Sequence, residues 1–262
     1  MNREEVQRIH YDKLAGAIKP GADAFAFGSE AYYPLSLRAP YEFCEKWMTE
    51  HSVAGKKFLD YGCGTGIHSI FPALRGAIVT GVDISPRSLD VARQLAEFHG
   101  VSSSAVFEVG HCEELPYPDS SFDVVLSVGT LSCLELPRAY AELARVCKPD
   151  GAVLILDALG HNPVMNTVRR LRLLRGLKTR WSVDHILKLK DVRGMRTYFQ
   201  NGSVRYFDLM TLGLAPLGGG FESVQRPLIA MAQWGDSFLL RIPFFQRYAY
   251  KFVAVLARPV KR

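Results

Sequence analysis

From Lys56 onward, short apolar runs alternate with segments of helical period. "KKFLDY" is an apolar run of strand length that ends at a glycine-rich loop, and "GIHSIFPALR" behind it predicts a helix. "AIVTGVD", rich in β-branched residues, predicts a second strand. Ser85-Pro86 then supplies an N-cap and a proline at the first helical position. The helix it opens, "PRSLDVARQLAEFHG", puts Leu89, Ala92, Leu95, Ala96 and Phe98 mostly on one face and stops at Gly100. "AVFEV" and "FDVVLSVG" predict the third and fourth strands, the latter introduced by the turn "PDSS". "PRAYAELARVC" predicts a helix, Lys148-Pro149-Asp150-Gly151 a turn, and "AVLILDAL" a fifth strand. Continuous apolar runs mark strands buried on both faces, so the pattern predicts an α/β fold with a mostly parallel sheet between helical layers.

After the fifth strand the period breaks. "NPVMNTVRRLRLLRGLKTRW" has Val164, Val168, Leu171, Leu174 and Leu177 at helical spacing, with Arg169, Arg170, Arg172, Arg175 and Lys178 on the other faces. "VRYFDLMTLGLAPL" then predicts a helix, "FESVQRPLIAM" a strand and "AYKFVAVLARP" the final strand. The first fifty residues are helical in pattern and rich in aromatics. No linker rich in Pro, Gly or Ser divides the chain, which predicts one domain: a helical cap over 1–54, a core over 55–158, an inserted lid over 159–205 and the rest of the sheet over 206–262.

Composition narrows the class. With 48% apolar and 22% charged residues among 262, the chain is that of a globular protein. Its N-terminal stretch is polar, unlike a secretory signal, and no apolar run reaches membrane-spanning length. Five cysteines, an odd number without metal-ligand spacing, fit reduced thiols in the cytoplasm and predict no metal site. The net charge of +6 is uneven: residues 161–200 hold ten Lys or Arg against two acids, Asp184 and Asp191. Such a stretch suits nucleic acid, an anionic membrane surface, an acidic substrate or simply solvent.

The loop "DYGCGTG" carries the chemistry. A phosphate-binding P-loop would need a Gly-Lys-Ser/Thr ending, which is missing, and a dinucleotide loop would need its third glycine one residue later, where Ile67 stands. What remains is Asp60, Gly62, Gly64 and Gly66 in the order D-x-G-x-G-x-G, with Asp83 closing the next strand. This arrangement resembles the class I S-adenosylmethionine-dependent methyltransferases, and the resemblance runs from about Lys56 to the last strand. It implies a three-layer, Rossmann-like methyltransferase fold: a mostly parallel seven-stranded sheet with an antiparallel last strand, a helical N-terminal cap and a helical lid after strand five. It also implies S-adenosyl-L-methionine as cofactor. Gly62 and Gly64 would let the backbone approach its methionine moiety, and Asp83 would accept from both ribose hydroxyls. Cys63, Thr65, Ile84 and Ser127 complete the implied binding set. Many relatives place "G-D-A-E-x-L-P-F" after the third strand; here "VGHCEELPY" has His111 in the aspartate's place, where a neutral imidazole would accept from the adenine amino group and Cys112 would offer its N–H.

Ligands in open α/β sheets bind beyond the carboxyl ends of the strands. Where relatives often carry histidines after strand four, this chain has Ser132 and Cys133. Asp157, His161 and Asn162 reach the same rim, and Asp184 and His185 lie in the lid. His185 is the expected general base, oriented by a neighbouring carboxylate, with His161 as substrate contact or alternative base; a structural role is open for both. Of the N-terminal aromatics Tyr11, Phe25, Phe27, Tyr32 and Tyr33, most belong to the cap's core, while Tyr11 and Tyr33 are candidates to face the cationic sulfonium. The expected function is methyl transfer to a small, apolar or aromatic acceptor of specialised metabolism, at oxygen or carbon rather than nitrogen. Peripheral contact with an anionic membrane would suit the basic insert. A nucleic-acid methyltransferase is the alternative, disfavoured because strand four lacks the Asn/Asp-Pro-Pro-aromatic element, and a cofactor-binding protein that does not methylate is a third.

Overall fold

A computed structural model describes residues 2–18, 33–217 and 222–261. Among the described residues one sheet is built from Lys57–Tyr61 (β1), Ile78–Asp83 (β2), Ala105–Val109 (β3), Phe122–Val128 (β4), Cys147–Ala158 (β5), Phe199–Phe207 (β6) and Lys251–Pro259 (β7). The strand order is β3-β2-β1-β4-β5-β7-β6. β3, β2, β1, β4 and β5 run parallel, and β7 is antiparallel to both of its neighbours. This is the expected mixed sheet with an antiparallel last strand. From β1 the chain winds outward to β3, then returns to the other side of β1 as β4. The carboxyl ends of β1 and β4 therefore flank a topological switch point, where a crevice opens.

Alternate strand residues serve two cores. Leu59, Val125, Val153 and Ile155 face one layer, Phe58, Val124, Leu154 and Leu156 the other. Helices Ile67–Leu74 (α3) and Pro86–Phe98 (α4) cover one face with Ala39–Glu50 (α2), and Leu136–Val146 (α5) covers the other. α4 starts and stops as its sequence dictates: Ser85 Oγ accepts from Ser88 N at 3.1 Å, and Gly100 takes a left-handed φ of +68°. Leu89, Ala92, Leu95 and Ala96 are buried along it, whereas Phe98 turns to solvent. Arg3–Gly16 (α1) and α2 form the N-terminal cap; Phe25, Phe27 and Tyr32 lie outside the described residues.

Five expectations need correction. Lys148–Gly151 is not a separate turn but a bulge inside β5, where the register jumps from Phe122↔Cys147 to Val124↔Ala152. The insert's helices, Pro163–Leu174 (α6), Arg180–Asp184 (α7) and Leu189–Gly194 (α8), end before residue 205, because 199–207 pairs with β7 as an edge strand. For the same reason Val204–Phe207 is strand rather than helix, and a short 3-10 segment, Thr211–Leu217, follows it. "FESVQRPLIAM" opens the helix Glu222–Leu239 (α9): Ile229, Ala232, Asp236 and Leu240 are buried at helical spacing. A last short helix, Pro243–Gln246 (α10), precedes β7. Finally, α6 is turned over. Met165 and Arg169 are buried while Val164, Leu171 and Leu174 face solvent, as does Leu177 beyond its end. Arg169 is drawn inward because its guanidinium donates to Leu159 O at 2.9 Å and Asn166 Oδ1 at 2.7 Å and sits over the Tyr250 ring.

Candidate active site

The glycine loop leaves β1 at Tyr61 and reaches α3 within six residues. Gly62 and Gly64 adopt φ of +74° and +51°, in the region that penalises any side chain. A Cβ on Gly62 would meet Thr130 Cγ2 at 2.3 Å; one on Gly64 would stand in open space. Gly66 serves packing instead, since its Cβ would meet Ala92 on α4 at 2.7 Å. Asp60 lies buried beneath the loop, where Ser69 Oγ on α3 donates to it at 2.6 Å. Burial pushes its carboxyl up to about 7, against the Ser69 hydrogen bond. Asp60 thus ties loop to helix and does not reach the cavity beyond. Asp83 does: its Oδ2 accepts from Gly64 N and its Oδ1 from Ser85 N, both at 2.9 Å. Each oxygen keeps a lone pair for a ligand hydroxyl.

Above the loop is a cavity of about 250 Å³ walled by Gly62–Thr65, Asp83–Ile84, Gly110–Cys112 and Val128–Thr130. α1 roofs it with Arg3, Gln7 and Tyr11. The roof is tied at several points. Arg3 pairs with Glu113 at 2.7 Å and lies over the Trp181 ring, Gln7 Nε2 donates to Thr179 Oγ1 at 3.0 Å, and Ser85 Oγ donates to Asp12 at 2.7 Å. Burial alone would raise the Glu113 carboxyl, but Arg3 and the Glu135 N–H hold it below its usual range. Tyr11 Oη lies 3.3 Å from Cys133 Sγ inside the cavity. His111 also lines it, but its Nδ1 accepts from Glu113 N at 3.3 Å. With Nδ1 accepting there, Nε2 is the ring's donor and lies 3.6 Å from Glu4 Oε1, so it is not the acceptor expected from the sequence. Ser127 is buried in β4, one residue before the cavity wall.

A second cavity, of about 390 Å³, shares Val128 and Gly129 with the first. Its wall combines Tyr33, Tyr41 and Tyr250 with Asp157, Lys178 and Lys251. Tyr33 stacks on Tyr41 at 3.6 Å, and its hydroxyl lies 3.1 Å from His68 Nε2. With Lys251 Nζ 5.1 Å from the centre of the Tyr33 ring, that ring already faces a cation of the protein's own. His68 borders the first cavity too, and burial, then the Lys251 charge, lowers its pKa to about 4, so the ring is neutral at physiological pH.

The two histidines expected to be catalytic lie elsewhere. His185 is exposed, stacks on Trp181 at 3.6 Å and bonds the Trp181 carbonyl through Nδ1; its neighbour Asp184 pairs with Arg180 at 3.5 Å. No carboxylate orients it as expected. His161 accepts from Leu189 N at 3.4 Å, and burial, then Arg247 and Lys188, lower its pKa. Neither borders either cavity. The structure instead brings in His68, Thr130, Tyr41 and Lys251, which sequence spacing does not connect. His68 is the third residue of the predicted helix "GIHSIFPALR", a position to which the sequence pattern assigned no role.

The first cavity suits an adenosine-like group: a carboxylate poised for hydroxyls at Asp83, flat apolar walls at Ile84 and Cys112, and clearance for the ligand at Gly64, where a Cβ would intrude. Among the described residues no cluster of three metal-ligating side chains occurs. Comparison with known proteins agrees with this geometry. Residues 59–155 match the family model described as a methyltransferase domain. The chain is 41% identical over 101 residues to a malonyl-[acyl-carrier protein] O-methyltransferase of Serratia marcescens, covering 38% of this chain and 37% of that protein. It is 33% identical over 123 residues to a demethylmenaquinone methyltransferase of Symbiobacterium thermophilum, covering 44% and 49%. The chain thus spans about half the length, or less, of these curated relatives. Among solved structures, a geranyl diphosphate C-methyltransferase from Streptomyces coelicolor shares the fold with a TM-score of 0.57 over 98% of both chains, at 13% identity. Over residues 59–155, then, the chain carries the methyltransferase domain which that family model describes.

Proposed function

We propose that the protein transfers a methyl group from S-adenosylmethionine to a small, apolar or aromatic metabolite, at oxygen or carbon. The observation that carries this reading is the pair of cavities meeting at Val128–Gly129, one beside the glycine loop and Asp83, the other lined by tyrosines. The bound cofactor supplies a methyl group on a positively charged sulfur that leaves as a neutral thioether. The protein's own part is then alignment and exclusion of water. Asp83 would hold the ribose hydroxyls, and the wall at Ile84 and Cys112 the adenine, with His111 donating through Nε2. The roof helix α1 would seal the site, with Tyr11 beside the methionine end. In this reading a proton leaving the acceptor passes to Tyr33 Oη as the Tyr33 proton passes to His68 Nε2, rather than to His185 or His161. With a pKa near 4, His68 is a weak base, which suits an acceptor that loses its proton easily.

The test is transfer of labelled methyl from the cofactor into a small-molecule extract, followed by mass spectrometry of the organic phase. Label in that phase supports the reading; label in nuclease-sensitive material, or bound cofactor with no transfer to any fraction, counts against it. Tyr33→Phe should lower kcat about ten-fold or more while leaving S-adenosylhomocysteine affinity unchanged, within the usual range for a positioned proton acceptor.

The reading extends to location. Among the described residues no helix is long and apolar enough to cross a membrane. α9 nevertheless leaves Met231, Trp234 and Phe238 exposed at 70%, 76% and 62% on successive turns, and Ile242 and Phe244 continue the apolar face. Arg226, Arg241 and Arg247 are exposed around it, while Asp236, the one acid from 223 to 250, is buried. An aromatic face accompanied by cations, with the one acid from 223 to 250 buried, matches the surface of an anionic bilayer reached from the cytoplasm. Sedimentation with phosphatidylserine-containing vesicles but not with neutral ones, lost in a Trp234→Ala/Phe238→Ala variant, is the expected outcome; equal recovery with both vesicle types would refute it.

A further inference from the structure

We propose that the acceptor carries an oxyanion, a carboxylate or phosphate on an apolar body, and that Arg172 and Lys178 hold it in the second cavity. The proposal rests on the methyltransferase reading for assigning this cavity to the acceptor. Four cations line it, Arg169, Arg172, Lys178 and Lys251, against a single acid, Asp157. Two of the four already have work within the fold. Arg169 donates to Leu159 O and Asn166 Oδ1, and Lys251 donates to Tyr41 Oη while sharing the field of Asp208. Arg172 and Lys178 stand apart: among the described residues neither forms an ion pair within 4.0 Å.

Asp157, whose carboxyl feels the charges of Lys178 and Arg169, is one acid against the four cations. Its Oδ1 accepts from Ala158 N at 2.7 Å and its Oδ2 from Leu131 N at 3.1 Å, so it is committed to fixing the chain after β4 and β5. Apart from the tyrosines, Ser132 and Ser182, the rest of the wall is mostly apolar, with Leu37, Leu156, Met165, Val168, Val183 and Ile186. Cations in a concave apolar site focus a positive potential toward its centre. Lys178 is half-buried while Arg172 is exposed, so a neutral acceptor would strip water mainly from Lys178 and leave its charge poorly compensated at the cavity wall. An oxyanion removes that cost, and its apolar body fills the remaining wall. The basic stretch at residues 161–200, ambiguous as sequence, thereby divides: Lys178 and the exposed Arg172 line the cavity, while Arg170 and Arg175 do not.

The experiment is calorimetric titration with octyl phosphate, octanoate, octanol and inorganic phosphate, run with and without S-adenosylhomocysteine. The proteins are the wild type and Arg172→Gln/Lys178→Gln, chosen because both side chains lie outside the core, unlike Arg169 and Lys251. Octyl phosphate or octanoate should bind at least about ten-fold tighter than octanol, in keeping with charge-assisted hydrogen bonds to each cation. The double variant should reduce that preference to near unity while binding S-adenosylhomocysteine as before. Inorganic phosphate binding as tightly as octyl phosphate would place the anion outside the apolar cavity and overturn the proposal. So would octanol matching the anions, or a double variant that keeps the preference. If S-adenosylhomocysteine binds and the preference is absent, the oxyanion site fails and the methyltransferase reading stands. If S-adenosylhomocysteine does not bind, that reading fails, and the titrations without it still decide the anion site.

Discussion

Replacing Gly62 and Gly64 separately by alanine should expose two different demands of the same loop. Both positions have left-handed φ, so each alanine carries backbone strain of about 1 kcal/mol or somewhat more. At Gly64 that is the whole folding cost, because nothing lies within 4 Å of the new Cβ. At Gly62 the Cβ lands 2.3 Å from Thr130 Cγ2 and 2.5 Å from its Oγ1, and Thr130 must move. The Thr130 hydroxyl is held against Tyr61 O, Gly62 O and Val128 O at 3.2–3.3 Å. Displacing it loses a hydrogen bond of about 1 kcal/mol and adds overpacking of about 1–3 kcal/mol. Gly62→Ala should therefore destabilise the unliganded protein by roughly 3–6 kcal/mol, against about 1–2 kcal/mol for Gly64→Ala. Urea denaturation measures the difference directly, with unchanged slope as the condition for comparing midpoints. Binding should rank the other way at Gly64, whose Cβ enters the cavity: S-adenosylhomocysteine affinity should fall well beyond what its modest loss of stability explains. The decisive control is Thr130→Ala, which removes the two closest atoms. Combined with Gly62→Ala it should recover stability, a coupling absent with Gly64→Ala. Equal losses at the two glycines, or a double variant that simply adds both costs, would refute the argument.

Asp60→Asn tests the buried carboxyl under the loop. Its folded pKa of about 7 lies above the unfolded value of 3.8, so its contribution is fully present below pH 4 and is lost as pH rises through 7. Asn should therefore gain on the wild type by up to about 4 kcal/mol between pH 4 and pH 8; a pH-independent difference in denaturation midpoints would sink this account. His68 has the opposite sign. With its folded pKa lowered to about 4, its contribution is present above 6.5 and lost as pH falls through 4, so His68→Gln should flatten the wild type's acid limb of the stability curve. Arg3→Ala removes the closer of the two arginines paired with Glu113, whose side chain is 1% exposed, and leaves Arg138 at 3.5 Å. It should destabilise by roughly 1–3 kcal/mol and speed S-adenosylhomocysteine release, with faster hydrogen exchange confined to α1 and its contacts. Unchanged exchange in α1 would mean the roof is held by other ties.

The contrast between what the sequence discloses and what it conceals follows from how each site is assembled. Asp60, Gly62, Gly64 and Asp83 sit in one strand-loop-helix-strand unit, so their spacing is set by local geometry and survives as a linear motif. The strands around them are buried on both faces and show as apolar runs. The second cavity has no such unit. Tyr33 and Tyr41 arrive from the cap, Val128 and Asp157 from strand ends, Lys178 from the insert and Lys251 from the last strand, brought together only by the sheet's crossover connections. His185 looked catalytic by type and place, but type says nothing about direction, and Trp181 holds the ring away from both cavities. The same limit explains the overturned α6 and the reading of the α9 segment as a strand. Apolar periodicity assumes that charge faces water, yet Arg169 is buried to cap the Leu159 carbonyl, and Asp236 is buried to accept from Leu209, Met210 and Thr211 N–H. Each places a charge in the stripe that should mark the core, and the true apolar stripes, Leu171 with Leu174 and Met231 with Trp234, are turned outward. A buried charge satisfied by main chain together with an exposed apolar face is what a helix shows when its outer side has a partner. On α9, where exposed arginines accompany the outward apolar residues, the vesicle experiment decides whether an anionic surface covers that face.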